Sequence, residues 1–149
     1  MTLHVRDQIL DAVLAAVTGL PTTGARAFDS RAYPLEREEL PGINVRFHEA
    51  TERSTPGDFP RPRMLERTCR IQVVGSVQAT TNYRKAANQI ALEVESVLGA
   101  PGAGSPAKWL NLIGTELQIS GSGEKPVGEI TLTYEAFYIT LENDATTPK

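Results

Sequence analysis

Few residues in this chain of 149 are equipped for covalent or metal chemistry. There are two histidines, His4 and His48, and neither has a second ligand at a spacing such as HxxxH. No imidazole metal pair is therefore encoded locally, and both read as ordinary surface or edge histidines. Cys69 alternates with apolar residues in its segment, the pattern of a buried structural thiol. A nucleophilic role would need a histidine partner that the sequence does not place. A single cysteine also excludes an intramolecular disulfide and a thiolate zinc cluster within one chain. Gly121-Ser122-Gly123 resembles a phosphate loop, but a strand-like segment follows it, whereas a phosphate cradle opens onto a helix N-terminus. GAPGAGSP at 99–106 fails the same test and lacks the Lys-Ser/Thr ending of a nucleotide loop. Glu36, Glu38 and Glu39 could hold a hard cation, yet a charge run of this kind is ordinarily a solvated face. The expectation is no enzyme, no cofactor and no metal, and a function carried by surfaces.

Composition sets the limits of those surfaces. The chain is long enough for one domain with a real core, so residues 1–149 are expected to form a single unit. It is 40% hydrophobic and 22% charged, as ordinary soluble domains are. The net charge of −3, without a basic tail, argues against a main task of gripping nucleic acid. The start, MTLHVRDQ, lacks an apolar signal segment, and no apolar run approaches the ~20 residues of a membrane span. Neither membrane nor sequence-specific nucleic acid is an expected partner.

Two helices are predicted. Over residues 5–19, Ile9, Leu10, Val13, Leu14 and Val17 follow the helical period, and Gly19 and Pro21 stop it. Over residues 82–98, Ala86, Ala87, Ile90, Ala91, Val94, Val97 and Leu98 extend a stripe that begins at Tyr83, with Thr81 or Asn82 as N-cap and Gly99 as stop. Strands are expected near 25–30 with Phe28 inward, at 43–47, at 65–77 and at 111–120. In the 65–77 strand Val74 breaks an otherwise polar face. Trp109 is expected to anchor the return of the 100–107 linker to the core.

Residues 51–63 hold three prolines and almost no apolar side chain except Phe59, so they are expected to be a mobile loop. Arg53, Arg61, Arg63 and Arg67 make this a local basic spot. Long loops within compact domains are often functional, and this one reads either as a solvated hairpin tip or as a loop that orders on a partner. Residues 143–149 are expected to be a disordered tail.

The last strand, after the turn at 121–128, has a fault in its alternation. Ile130, Leu132, Tyr134 and Ala136 share one face, but Phe137, Ile139 and Leu141 are apolar on the other. Either a bulge near Ala136 resets the register, or the second half packs against another surface, a subunit contact among the options. The whole reads as an α+β domain in two layers, with a mixed, mostly antiparallel sheet of four to five strands and two helices on one face.

The order and wording of RDQILDAVLAAVTGLPTTGARAF, YPLEREELPGINV, LERTCRIQVVGSV, NYRKAANQIALEVESVL and GTELQISGSGEKPVGEITLTYEAFY resemble the tail-terminator family of long-tailed bacteriophages, the lambda-type minor tail protein that caps the tail tube. The resemblance spans roughly residues 5–140, and LPTTGARAF and the GEKPVGEITLTYEAFY ending are its most specific pieces. It implies a homo-hexameric ring that binds the end of a polymerised tail tube, stops its growth and offers a surface to the head. The implied partners are other copies of the chain, the tail tube protein and a head–tail connector or neck protein. The implied location is the head-proximal end of the virion tail, after assembly in the host cytoplasm. Arg53, Phe59, Arg61, Arg63, Phe137, Ile139 and Leu141 are the candidate subunit or tube contacts. Rival readings are another neck or head-completion protein, and a small-ligand-binding α+β domain.

Overall fold

The computed structural model describes residues 2–48, 52–58, 60–79, 82–120 and 126–149. Helix α1, Val5–Val17, buries Val5, Ile9, Leu10, Val13 and Val17 along one stripe. The His4 side chain caps it by accepting from the Arg6 N–H. Gly19, at φ +87°, turns the chain away just beyond the helix, in a conformation only glycine adopts without strain. Helix α2, Tyr83–Leu98, buries Ala87, Ile90, Ala91, Val94 and Leu98. Its N-cap is Asn82, and Gly99 follows its last residue at φ −84°. Glycine is needed at 99 for space rather than handedness, since a Cβ there would lie 2.8 Å from the Glu95 carbonyl oxygen.

Six strands form one sheet among the described residues. They are β1 Ala27–Asp29, β2 Gly42–Phe47, β3 Arg53–Pro56, β4 Met64–Gln78, β5 Trp109–Ser120 and β6 Val127–Leu141. The order is β1-β2-β4-β6-β5, with β3 pairing on β4 beyond the end of β2. Only β1–β2 is parallel. Both helices lie on one face, in a single core with Ile43 and Val45 of β2, Cys69, Ile71, Val73 and Val77 of β4, and Ile130, Leu132, Tyr134, Ala136 and Tyr138 of β6. The α+β, two-layer expectation holds, with one strand more than anticipated. Each fully buried Ile or Leu in this layer contributes about 1.5–3 kcal/mol of transfer free energy. Helix α2 rides close to the sheet over Gly75, where an added Cβ would meet Ile90 Cγ2 at 2.8 Å.

Several local expectations need correction. The additional strand is β3, inside the 51–63 segment expected to be a mobile loop. It pairs antiparallel from Arg53↔Thr68 to Pro56↔Leu65. Pairing there satisfies backbone groups of β4 and needs no apolar side chain, so a polar composition hid it. No bulge resets β6: its buried and half-buried residues alternate over its whole length, and its ladder to β4 is unbroken. The bulge lies in β5 instead, between Leu112 and Gly114. Trp109 is not in the core. It is paired with Phe137, is 39% exposed and stacks on the Phe137 ring at 5.3 Å. Phe28 pairs with Asn44 on the face away from the helices, under the Arg31 guanidinium. Residues 143–149 run back along the start of α1 and the end of β6. Ala145 O accepts from the Val5 N–H and Thr146 O from Gln8 Nε2, which serves the N-terminus of α1. The Lys149 N–H donates to Ile139 O on β6, beyond the point where β5 begins.

Candidate assembly surface

Among the described residues no helix covers the face of the sheet opposite α1 and α2. At one end, residues 31–35 fold across it. There Asn44 is bound to the Arg31 backbone through both side-chain atoms, and Val74 and Ser76 are buried. That cover explains the apolar Val74 in a polar row. Further along, the face is polar and of mixed sign. Arg46 Nε donates to Gln72 Oε1 at 3.2 Å, and Arg70 and Glu135 pair at 3.6 Å, partly exposed, as surface pairs of little net stability. Arg53, Thr55, Glu66, Thr68, Arg70, Glu135 and Phe137 line a shallow, open depression of about 450 Å³.

At the far end the same face becomes apolar. Cross-strand partners share a face. Thus Phe137, with Trp109, and Leu141, with Met64, stand on the bare side beside Ile139. Their facing follows from the strict alternation of β6, since Tyr138 and Thr140 between them are fully buried on the helix side. Of the residues proposed from sequence, Phe137, Ile139 and Leu141 come together here, and Arg53 joins Phe137 at the depression. Phe59 lies outside the described residues.

Arg61 and Arg63 are placed differently from a freely reaching basic loop. The hairpin between β3 and β4 closes through Gly57 N–H to Met64 O, and its return is bound to the end of β6. The Glu142 N–H donates to Arg63 O, the Arg63 N–H donates to Glu142 Oε1 at 3.1 Å, and Arg63 Nε and Nη2 both reach Oε2 at 3.1 Å. Arg61 approaches the same carboxylate at 3.7 Å. The backbone and then the side-chain bonds from Arg63 hold the Glu142 carboxyl below its ordinary range.

A second ionic group sits on the helix side of the hairpin, and sequence reasoning did not find it. Glu52 accepts from the Tyr138 hydroxyl and pairs with Arg6 Nη1 at 2.8 Å. Arg6 Nη2 and Arg67 Nη1 both lie within 3.0 Å of His4 Nε2. Burial, then the charges of Arg6 and Arg67, push the His4 imidazolium down. Burial and Glu52 push the Tyr138 phenol up. These residues are 4, 6, 52, 67 and 138, too scattered for any spacing signal. The hairpin is thus fastened at its root by Glu52 to α1 and β6, and at its return by Arg63 to Glu142 at the end of β6.

Chemically, the described surface can bind by shape, stacking and charge. Among the described residues no three His, Cys, Asp or Glu side chains converge as a metal site. Cys69 is buried, and desolvation pushes its thiol up to about 12, which keeps it protonated and unreactive. Among the described residues no helix is long and apolar enough to cross a membrane.

No family model matches the chain. No curated protein matches it either. Among solved structures it is similar to a chain of the virion of a native gene transfer agent (GTA) particle, at 20% identity, with 90% of each chain covered and a TM-score of 0.43.

Proposed function

We propose that this chain is a structural virion protein that caps a phage tail tube as a ring, ends its polymerisation and presents the surface that joins the head. The observation that carries the reading is the bare end of the sheet. Phe137, Ile139, Leu141, Trp109 and Met64 form an apolar strip on a face that no helix covers, beside a charged depression lined by Arg53. A strip of this kind gains by being covered by another protein. The resemblance of residues 5–140 to tail terminators supplies the identity of the cover: neighbouring copies in a ring of six, the tube protein on one side and a neck protein on the other. No enzymatic step belongs to this reading.

The paired state of Arg61 and Arg63 refines their role. They fasten the hairpin to β6 and so present Arg53 and the apolar strip as one unit, instead of reaching out as free charges. The reading is tested by electron microscopy of particles assembled without this protein. Overlong or variable headless tails are the expected result. Tails of normal length beside unattached heads would reject tube capping and assign the protein to the neck.

A further inference from the structure

Strands β4 and β6 pass through two kinds of surroundings. Under the helices their cross-strand rows are apolar: Ile43–Gly75–Ile130, Val45–Val73–Leu132 and Phe47–Ile71–Tyr134. Beyond the Cys69–Ala136 pair the same face carries Ser54–Arg67–Tyr138 and Pro56–Leu65–Thr140. Ser54 and Pro56 are exposed, Leu65 is half-buried, and Tyr138 and Thr140 are fully buried. Arg67 Nε and Thr140 Oγ1 are buried without a hydrogen-bond partner among the described residues. An unpaired buried polar group costs stability, so this end gains less from burial than the rows under the helices.

The bonds that tie this end to α1 are polar. Glu52 accepts from the Tyr138 hydroxyl and pairs with Arg6 Nη1 at 2.8 Å. Arg67 Nη1 lies 3.0 Å from His4 Nε2. The Val5 N–H donates to Ala145 O at 2.8 Å, and Gln8 Nε2 donates to Thr146 O at 2.9 Å. β3 adds no buried side chain. Elements held by hydrogen bonds with few buried apolar contacts open at a lower free energy than the whole fold.

We infer that the strip-bearing end of the sheet opens as one unit while the helix-covered core stays folded, with Glu52 as its latch to α1. The unit comprises β3, β4 from Met64 to Thr68, β6 from Phe137 to Leu141, and residues 142–149. Glu52 joins the start of β3 to β6 and α1, and Glu142 joins the hairpin return to β6, so these strands loosen together. Met64, Phe137, Ile139 and Leu141 all stand on them, so the proposed contact strip and the opening unit are one piece of the sheet. A partner that binds the strip only in its closed form holds the unit shut. The inference deepens the assembly reading above and rests on it for that partner alone; the opening belongs to the free chain.

The test is native-state hydrogen exchange, followed by NMR over a series of low urea concentrations. The amides of Gly57, Arg67 and Glu142 report the unit, and those of Ile43, Val73 and Leu132 report the core. Two levels are expected in the wild type. The unit amides share one exchange free energy and one urea slope, both below those of the core amides. Ile130→Val speeds the core amides several-fold and leaves the unit amides at their wild-type rates, because the core stays packed when the unit opens. Glu52→Gln speeds the unit amides roughly tenfold, and the core amides by the same factor, because both openings break the latch. A single level for all six amides overturns the unit, and so do unit amides that exchange at unrelated levels. Unit amides unmoved by Glu52→Gln overturn the latch. The wild-type series decides the first question even if a variant folds poorly. The failures are separable. Overlong tails without the protein, together with a single exchange level, keep the tail-capping reading and reject the unit. Two levels with tails of normal length do the reverse.

Discussion

Strand β6 shows its two sides to very different surroundings. On the helix side Ile130, Leu132, Tyr134, Ala136, Tyr138 and Thr140 are buried, and α1 and α2 cover that layer. On the other side Glu129, Thr131, Thr133, Glu135, Phe137, Ile139 and Leu141 have no helix above them. The backbone ladder is shared, so the sides differ only in what covers them. Polarity marks the bare side as far as Glu135, and beyond it both sides are apolar. An apolar end with no helix above it is the feature on which the proposed assembly reading rests.

The largest contrast comes from truncating one residue on each side. Leu132→Ala removes a side chain from a closed layer and is expected to cost about 2–5 kcal/mol. Ile139→Ala, on the bare side, is expected to cost less than about 1 kcal/mol in the free chain, because water already reaches it. Urea denaturation of both variants measures the difference. Equal losses would mean that the bare side is closed by the chain itself, and the apolar strip would no longer call for a partner.

Two glycines sharpen the same contrast on a smaller scale. At Gly75 a methyl group would meet Ile90 Cγ2 at 2.8 Å and Ile130 Cγ2 at 3.2 Å. Gly75→Ala forces α2 away from the sheet and is expected to cost about 1–3 kcal/mol. At Gly114, next to the β5 bulge, nothing lies within 4 Å of the added atom. Gly114→Ala should stay within about 0.5 kcal/mol of the wild type. Thermal melts of the two variants check this, and a tight site at Gly114 would show that β5 is covered rather than open.

What was legible in the sequence follows this division. Wherever one side of an element was buried and the other wet, period alone placed it, as for α2 and for β4 from Leu65 to Val73. Reading failed where both sides shared a polarity. β3 is polar on both sides and exposed, so nothing but the unpaired edge of β4 specified it. The end of β6 is apolar on both sides, so a bulge was a reasonable alternative to the continuous ladder that formed. Trp109 was assigned to the core by its area, but as an edge residue it has only Phe137 to stack upon. Phe137, Ile139 and Leu141 were found as a face, and Arg61 and Arg63 as a basic spot. The partner that changes the meaning of those arginines, Glu142, lies 79 residues from Arg63.

The polar group beneath the hairpin is the next site at which to separate the two sides. Tyr138 is fully buried, and its hydroxyl donates to Glu52. Tyr138→Phe keeps the ring but leaves that carboxylate one donor short, at an expected cost of about 1–3 kcal/mol. Phe137→Leu, its neighbour on the bare side, should change stability less. It should instead weaken whatever covers the strip, read as loss of head–tail joining or of tail-length control in assembled particles. If Phe137→Leu destabilises the free chain as much as Tyr138→Phe, the stacked Trp109–Phe137 pair is part of the core after all.

The smallest expected effect is the dependence of stability on pH, and it separates the N-terminal cap from the tail. His4 titrates below its ordinary 6.5 in the folded chain, because burial and the guanidiniums of Arg6 and Arg67 oppose a proton there, against weaker help from Glu52 and Asp7. The folded chain therefore binds fewer protons than the unfolded one just below pH 6.5. Stability is full above that value and falls with pH until the folded His4 also protonates. Carboxylates work in a lower window. Asp144 is lowered to about 2, first by the Thr146 hydroxyl, and Glu142 is lowered by Arg63, so their contributions are full above the ordinary carboxylate range and are lost as pH falls through the folded values. Asn is a good N-cap that does not titrate. His4→Asn should thus flatten the melting temperature between pH 6.5 and the carboxylate range while leaving the steeper acid limb in place. An unchanged slope in the upper window would mean that His4 protonates alike in both states, and that the guanidiniums around it do not restrain the cap of α1.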